Sequence, residues 1–237
     1  VHMTHIEDRV IYGGVTGARD AIAALRAFRN MLSGQGKSRF DVTVKWDGAP
    51  AVFAGIDPSD GKFFVAKKGI FNKDPKVYKS EADVRADTSG DLADKLTIAY
   101  NELKDLGIKD VIQGDIMFTK NDLNVENIDG EKYVTFQPNT IVYAVPVKSD
   151  LAKTIMKANL GVVFHTTYTG KFFEEMKASY GVKIDKLKKK TSIWYQDANY
   201  KDQSGTATLT ATETKEVTEA LSKAGKIFQK IAGTTLR

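Results

Sequence analysis

Two hydrophobic periods run through this chain and divide it into helical and extended segments. Apolar residues recur at helical spacing over Ala18–Ser33, where Ile22, Leu25, Phe28 and Leu32 share a face and Gly34 marks the end. The period returns in Leu92–Leu106, with Leu92, Leu96, Ala99, Leu103 and Leu106 on one side and Gly107 as the stop. Ser149–Ala158 is a third helix, with Ser149 or Asp150 able to cap it, and Lys215–Ala232 a fourth, with Val217, Leu221, Ala224, Phe228 and Ile231 inward. Lys171–Tyr180 is expected as a short helix. Extended segments are expected at Phe40–Val44, Ala51–Ile56, Lys62–Ala66, Val111–Phe118, Tyr133–Phe136, Thr140–Val147 and Gly161–Tyr168. Turn residues at Asp47-Gly48, Pro58–Gly61 and Pro138-Asn139 join neighbouring segments as hairpins. Asp74–Asp91 and Asn121–Lys132 are polar and read as irregular, the latter with a turn at Asp129-Gly130, and Gln203–Thr214 reads as loop or edge strand. Because hairpins outnumber crossover connections, the pattern predicts an α+β fold with antiparallel sheets packed together and helices outside.

Composition narrows the class. A chain of 237 residues with 42% hydrophobic and 27% charged content is a water-soluble globular chain able to bury a sizeable core, expected here as a single domain over 4–237. Val1-His2-Met3 reads as a cloning remnant before the native start. There is no cysteine, which excludes disulfides, a thiolate metal site and a cysteine nucleophile, and suits a cytoplasmic setting. No apolar run is long enough for a membrane span, and no signal peptide is visible. A net charge of +5 and a pI near 9.1 favour anionic partners such as nucleotides or nucleic acid. Oligomeric state leaves no trace in the sequence.

The stretch richest in candidate chemistry is Asp41–Phe53. The alternation of Phe40, Val42 and Val44 brings a strand to Lys45, and Asp47-Gly48 turns the chain beside it. A lysine so placed can hold a phosphate, or act as a nucleophile when desolvated or set near another cation; a solvated hairpin lysine is the plain alternative. Lys67-Lys68-Gly69 follows the next strand pair and either is a solvated basic turn or supplies the cations that a triphosphate near Lys45 would need as its pyrophosphate departs. Asp115 sits inside an apolar strand next to Gly114, where a carboxylate needs a partner or a ligand. The glycine beside it permits close approach. His165, on a strand, reads as a hydrogen-bonded structural residue, and no clustered histidines or carboxylates show zinc spacing. Lys186, Lys188, Lys189 and Lys190 form a basic run near Trp194 and Tyr195, either a solvated face or a phosphate-contacting patch. The glycines of Gly13–Gly17 lack the Gly-Lys-Ser/Thr of a phosphate-binding loop and read as a loop before the first helix.

Lys45-Trp46-Asp47-Gly48 resembles the Lys-x-Asp-Gly motif of covalent nucleotidyltransferases: ATP-dependent DNA ligases, RNA ligases and capping enzymes. Asp115 resembles their ribose-contacting acidic residue, which is usually glutamate. Ile141–Val147 resembles the strand that borders the purine, with Val142 where an aromatic residue is usual. From about His5 to Gly205 the chain is similar to ligase-like proteins of large tailed phages, sharing Lys-Trp-Asp-Gly-Ala-Pro-Ala, Ala-Lys-Lys-Gly-Ile-Phe-Asn-Lys, Phe-Gln-Pro-Asn-Thr-Ile-Val-Tyr-Ala-Val-Pro and Phe-His-Thr-Thr-Tyr. The family's later Glu-Gly and Lys-x-Lys strands have no counterpart at the usual spacing, so they are truncated, diverged or lost.

The resemblance implies a ligase-type adenylation domain using ATP and Mg2+. Lys45 would attack the α-phosphorus, and Asp47 would orient the lysine or hold the metal. Trp46, Gly48, Lys67, Lys68, Asp115 and Tyr143 would surround the nucleotide, and Lys186 and Lys188–Lys190 would meet DNA or RNA. The AMP would pass to a 5′-phosphate and a 3′-hydroxyl would displace it. The competing expectations are a non-catalytic nucleotide- or nucleic-acid-binding module on the same fold, and a phage structural protein. Lys45 alone separates the first from the other two, because only the first requires a covalent adduct.

Overall fold

A computed structural model describes residues 5–35, 44–199, 209–231 and 235. Their contacts divide into two compact units, Thr43–Asn199 and the pair of terminal segments Val1–Val42 and Tyr200–Arg237. The expected strand Phe40–Val44 falls outside the described residues except for Val44, as does most of Gln203–Thr214. No helix among the described residues is long and apolar enough to cross a membrane.

The terminal segments form a helical unit of α1 (Ile6–Tyr12), α2 (Gly14–Leu32) and α6 (Ala211–Lys230). Gly13–Gly17, expected as a loop, instead holds the close crossing of α1 on α2. A Cβ at Gly17 would lie 2.0 Å from the Arg9 carbonyl oxygen, so only glycine allows this approach. The face that α2 buries is Ala18 and Ala21, rotated from the expected face, whose Leu25 and Phe28 are exposed. Arg29 on α2 donates to Thr218 Oγ1 on α6 at 3.2 Å.

The larger unit is α+β. Its main sheet has six strands: β1 (Ala51–Ile56), β2 (Phe63–Ala66), β3 (Val111–Thr119), β7 (Leu160–Thr169), β8 (Lys177–Tyr180) and β9 (Ile193–Asp197). The order is β2-β1-β3-β7, and the outer edge of β7 is shared. β8 pairs antiparallel with Thr166–Thr169, and β9 pairs parallel with Leu160–Phe164. The sheet is therefore mixed, where an antiparallel one was expected. A second, three-stranded sheet contains β4 (Asn124–Ile128), β5 (Glu131–Phe136) and β6 (Tyr143–Pro146). Three further helices complete the unit: α3 (Glu81–Asp87), α4 (Gly90–Leu103) and α5 (Asp150–Lys157).

Alternation along β1, β3 and β7 gives the main sheet two faces. One face, carrying Val52, Ala54, Ile112, Ile116, Val162 and Phe164, packs on Leu96, Ala99 and Leu103 of α4. Leu96, Leu103 and Leu106 are fully buried there, each contributing about 1.5–3 kcal/mol of transfer free energy. The other face carries two aromatic clusters. Phe53, Phe64, Val111, Tyr168 and Phe173 gather at one end, and Met117, Phe118, Val163, Trp194 and Phe136 at the other. In strand order, Gln113 and Asp115 on β3 lie between Val111 of the first cluster and Met117 of the second.

Three expected segments came out differently. α3 lies within Asp74–Asp91; it buries only Val84, so it shows no apolar period, and the Ser80 hydroxyl caps it by accepting from Asp83 N at 3.1 Å. β4 lies within Asn121–Lys132 and is exposed at every residue, so it has no alternation to read. The expected turn closes it, with φ of 50° at Asp129 and 86° at Gly130. Lys171–Tyr180 holds a single 3-10 turn and then β8, not a helix. Phe173, Met176 and Tyr180 fall at helical spacing, but the backbone bonds of 177–180 go to β7.

Candidate functional site

The segment Lys45–Gly48 has no regular secondary structure and is held at both ends. Val44 N–H donates to the Ala198 carbonyl at 2.9 Å, just past β9. Beyond the segment, Ala49 N–H donates to the Ile116 carbonyl and Ile116 N–H to the Pro50 carbonyl, both at 3.0 Å, across a cis Ala49–Pro50 peptide. Both edges of β1 are filled, by β2 and β3, so Asp47-Gly48 is not the hairpin turn the sequence suggests. Instead each residue of the segment meets a different neighbour.

Gly48 lies flat on β3. A Cβ there would sit 2.5 Å from Asp115 Cβ, 2.9 Å from Met117 Sδ and 3.0 Å from the Ile116 carbonyl oxygen. Asp47 turns the other way. Its Oδ1 accepts from Asn139 Nδ2 at 2.9 Å; its Oδ2 accepts from Thr140 Oγ1 at 2.6 Å, Thr140 N at 2.8 Å and Ile141 N at 3.1 Å. These bonds, the Thr140 hydroxyl foremost, lower its pKa to about 2. Of the roughly four acceptor sites of a carboxylate, the Oδ2 pair is taken up by three donors and Oδ1 receives one. Asp47 is therefore a clamp on 139–141, and only Oδ1 keeps an acceptor site for the metal or lysine expected of it.

Trp46 stacks on Tyr143 at 5.4 Å between ring centroids, and Tyr143 stacks on Phe136, also at 5.4 Å. Both faces of Tyr143 are thus covered, and its hydroxyl accepts from Asp47 N–H at 2.9 Å. Tyr143 fixes the segment and has no free face for a purine. The column continues through Phe118, 4.9 Å from Phe136, to Trp194, 5.9 Å further.

Asp115 pairs with Ala51 on β1 and Val163 on β7, and its side chain is 22% exposed. Burial raises its pKa to about 6; the positive charges of Lys68 and Lys45 pull it down, and Asp47 pushes it up. The carboxylate receives no hydrogen bond from the described residues. His165 Nε2 lies 3.8 Å from its Oδ2. A register shift of β3 on β7 between Gln113 and Gly114 leaves His165 as the extra residue, between the Thr166–Gln113 and Phe164–Gly114 pairs. His165 Nδ1 lies 2.7 Å from Thr166 Oγ1, and burial lowers the pKa of the ring. Beside it, Gln113 Oε1 accepts from the Tyr168 hydroxyl at 2.7 Å. Asp115, His165, Thr166 and Gln113 form one polar strip between the two aromatic clusters, and the exposed Lys45 and Lys68 lie within electrostatic range of its carboxylate.

Other expected residues lie elsewhere. Lys67 is 3.0 Å from Asp87 Oδ2, and Asp87 also receives Lys76 and the Tyr78 hydroxyl, so Lys67 anchors α3. Lys190 is 3.2 Å from Glu102 Oε2, in a network that includes Ser192 and Asn159 and fixes the start of β9 to α4. Lys186, Lys188 and Lys189 are exposed. Their segment runs past the end of α4, where Ile184 and Leu187 pack into the α4-side core and Lys188 N–H donates to the Leu106 carbonyl. That is the opposite face of the sheet from Asp115, so the run and Lys45 do not share a surface. Among the described residues, no three His, Asp or Glu side chains gather into a set that could hold a metal ion.

His165, Gln113 and Thr166 were not singled out as site residues from the sequence. A lone histidine on an apolar strand gives no sign of its partner, and the bulge that turns it toward Asp115 has no sequence mark. The Gly114-Asp115 pair inside a strand was the one available signal.

The chain belongs to the family of unknown function DUF6267, whose model matches residues 1–236. Nothing matched among curated proteins, and nothing among solved structures.

Proposed function

We propose that this protein is a ligase-like nucleotidyltransferase that forms a covalent lysyl-nucleotide at Lys45. The observation that carries the reading is Asp115, a carboxylate inside an apolar strand with no hydrogen bond from the described residues, against which Gly48 of the Lys45 segment is pressed and which lies within electrostatic range of the exposed Lys45 and Lys68. A nucleoside triphosphate fits such a strip: cations for its phosphates, a carboxylate and amide for its polar groups, and aromatic walls on both sides. In the reaction, Lys45 Nζ attacks the α-phosphorus, an N–P bond forms, and the bond from that phosphorus to the bridging oxygen of pyrophosphate breaks. Lys68 would meet charge on the phosphates. Mg2+ would enter on the triphosphate and neutralise its charge. The AMP would then pass to a nucleic-acid 5′-phosphate.

The test is incubation with α-labelled ATP and Mg2+, followed by a denaturing gel and intact mass, with Lys45→Ala beside wild type. A label on wild type alone upholds the assignment. A label of equal strength on Lys45→Ala, or none on either, refutes it. The lack of a counterpart to the later Glu-Gly and Lys-x-Lys strands favours a second reading, a binding module that takes nucleotide or nucleic acid without an adduct. It predicts binding by equilibrium dialysis with no label on the gel.

A further inference from the structure

We infer that Asp115 is the proton acceptor for the Lys45 amine and that His165 is the positioning residue through which the proton leaves. The inference rests on the nucleotidyl-transfer reading of the site and assigns Asp115 a role other than contact with a ribose.

The chemistry sets the requirement. A lysine that passes from ammonium to N–H phosphoramidate sheds two protons, one before the amine can attack and one as the N–P bond forms. Pyrophosphate leaves with the P–O bonding electrons and does not take both. One acceptor meets the balance if it can pass the first proton on before it takes the second. Gly48 presses the backbone of the Lys45 segment onto the Asp115 side chain, which brings the lysine, three residues back, into electrostatic range of the carboxylate. Behind the carboxylate stands His165 Nε2, at 3.8 Å from Oδ2. Its other nitrogen is engaged by Thr166 Oγ1 at 2.7 Å. If Nδ1 donates that bond, Nε2 carries the free lone pair and faces Asp115.

The charged and titratable groups within electrostatic range of Asp115 are Lys45 and Asp47 from the segment above it, Lys68 from the turn after β2, and His165 from β7, which lies against it. Burial places the carboxylate near pH 6 and drives the imidazole toward its neutral form. A base of that strength is ionised at neutral pH and still holds a proton better than an exposed aspartate does. Two features of this strip have no use in a ribose contact: the bulge that turns His165 inward, and the Thr166 bond that sets the ring.

The experiment is the single-turnover rate of labelling by α-labelled ATP and Mg2+ between pH 5 and 9, with ATP affinity measured in parallel. Wild type should lose rate on the acid side with a limb near pH 6. Asp115→Asn should slow labelling about 100-fold, abolish that limb and keep ATP affinity. Asp115→Glu should restore part of the rate together with a limb. His165→Gln should still be labelled, more slowly and with the limb displaced. The inference is overturned if Asp115→Asn weakens ATP binding while its pH profile stays as in wild type, which is the mark of a ribose contact. It is also overturned if His165→Gln matches wild type at every pH. Wild type that takes no label overturns the nucleotidyl-transfer reading and this inference with it. A labelled wild type with unaffected variants overturns this inference alone.

Discussion

Gly48 and Asp115 touch backbone to side chain: a Cβ on the glycine would fall 2.5 Å from the aspartate Cβ. The other atoms in the way, Met117 Sδ at 2.9 Å and the Ile116 carbonyl oxygen at 3.0 Å, belong to the same strand. Gly48→Ala must therefore lift the Lys45 segment off β3. The expected cost is about 1–3 kcal/mol of stability, read by urea denaturation, together with loss of labelling at Lys45. Wild-type stability and labelling in Gly48→Ala would contradict the packing described.

Asp115 weakens the fold at neutral pH. Its folded pKa of about 6 stands above the ordinary 3.8. Between those values the folded chain holds a proton that the unfolded chain has released. The penalty is absent below about pH 4 and grows to its full size as pH rises through 6. Asp115→Asn removes the penalty and should stabilise the protein by about 2–3 kcal/mol at pH 7.5, with the gain vanishing near pH 4. Denaturation curves at the two pH values check this.

Asp47 behaves in the opposite sense. Its pKa is held at about 2, below the ordinary 3.8, chiefly by the Thr140 hydroxyl and then by Asn139. The clamp on 139–141 is present above about pH 4 and is released as pH falls through 2. Thr140→Val should move the Asp47 titration upward, toward the ordinary value, as followed by carboxylate NMR. No movement would show that the backbone donors alone set it.

The Tyr143 hydroxyl accepts from Asp47 N–H while the ring stays stacked on both sides. Tyr143→Phe keeps the stack and leaves that N–H without its acceptor. A loss of about 0.5–1.5 kcal/mol is expected in denaturant titrations. Labelling of Tyr143→Phe should persist, since the ring does not face the nucleotide in the proposed reaction.

Buried segments were legible in the sequence. β1, β2, β3 and β7 are buried on both faces and read as short apolar runs bounded by turn residues, while α4, α5 and α6 carry a helical apolar period. β4 and β8 are exposed along their length and carry no such mark. β9 was hidden for another reason: Ile193 and Trp194 are buried in adjacent positions, and its pairing with β7 is parallel and distant in sequence. In the candidate site, Lys45, Lys68 and Asp115 were legible because each is a charge beside glycine or inside an apolar run. The role of Asp47 was not, since its four donors lie more than ninety residues away in the chain. Lys67 and Lys68 look alike in sequence, and only the position of Asp87 separates them.

The chain has two tryptophans, and they stand at the two ends of one column of rings. The protein thus carries a pair of optical reporters at separate stations. Trp46 is half-buried on the segment that bears Lys45, whereas Trp194 is buried on β9 among side chains of the second sheet and α5. Trp194→Phe leaves an emission that follows the lysine segment alone. Trp46→Phe leaves one that follows the seating of the second sheet. Compared in the same titration, the two would separate a ligand-driven shift of the segment from loosening of the fold beneath it.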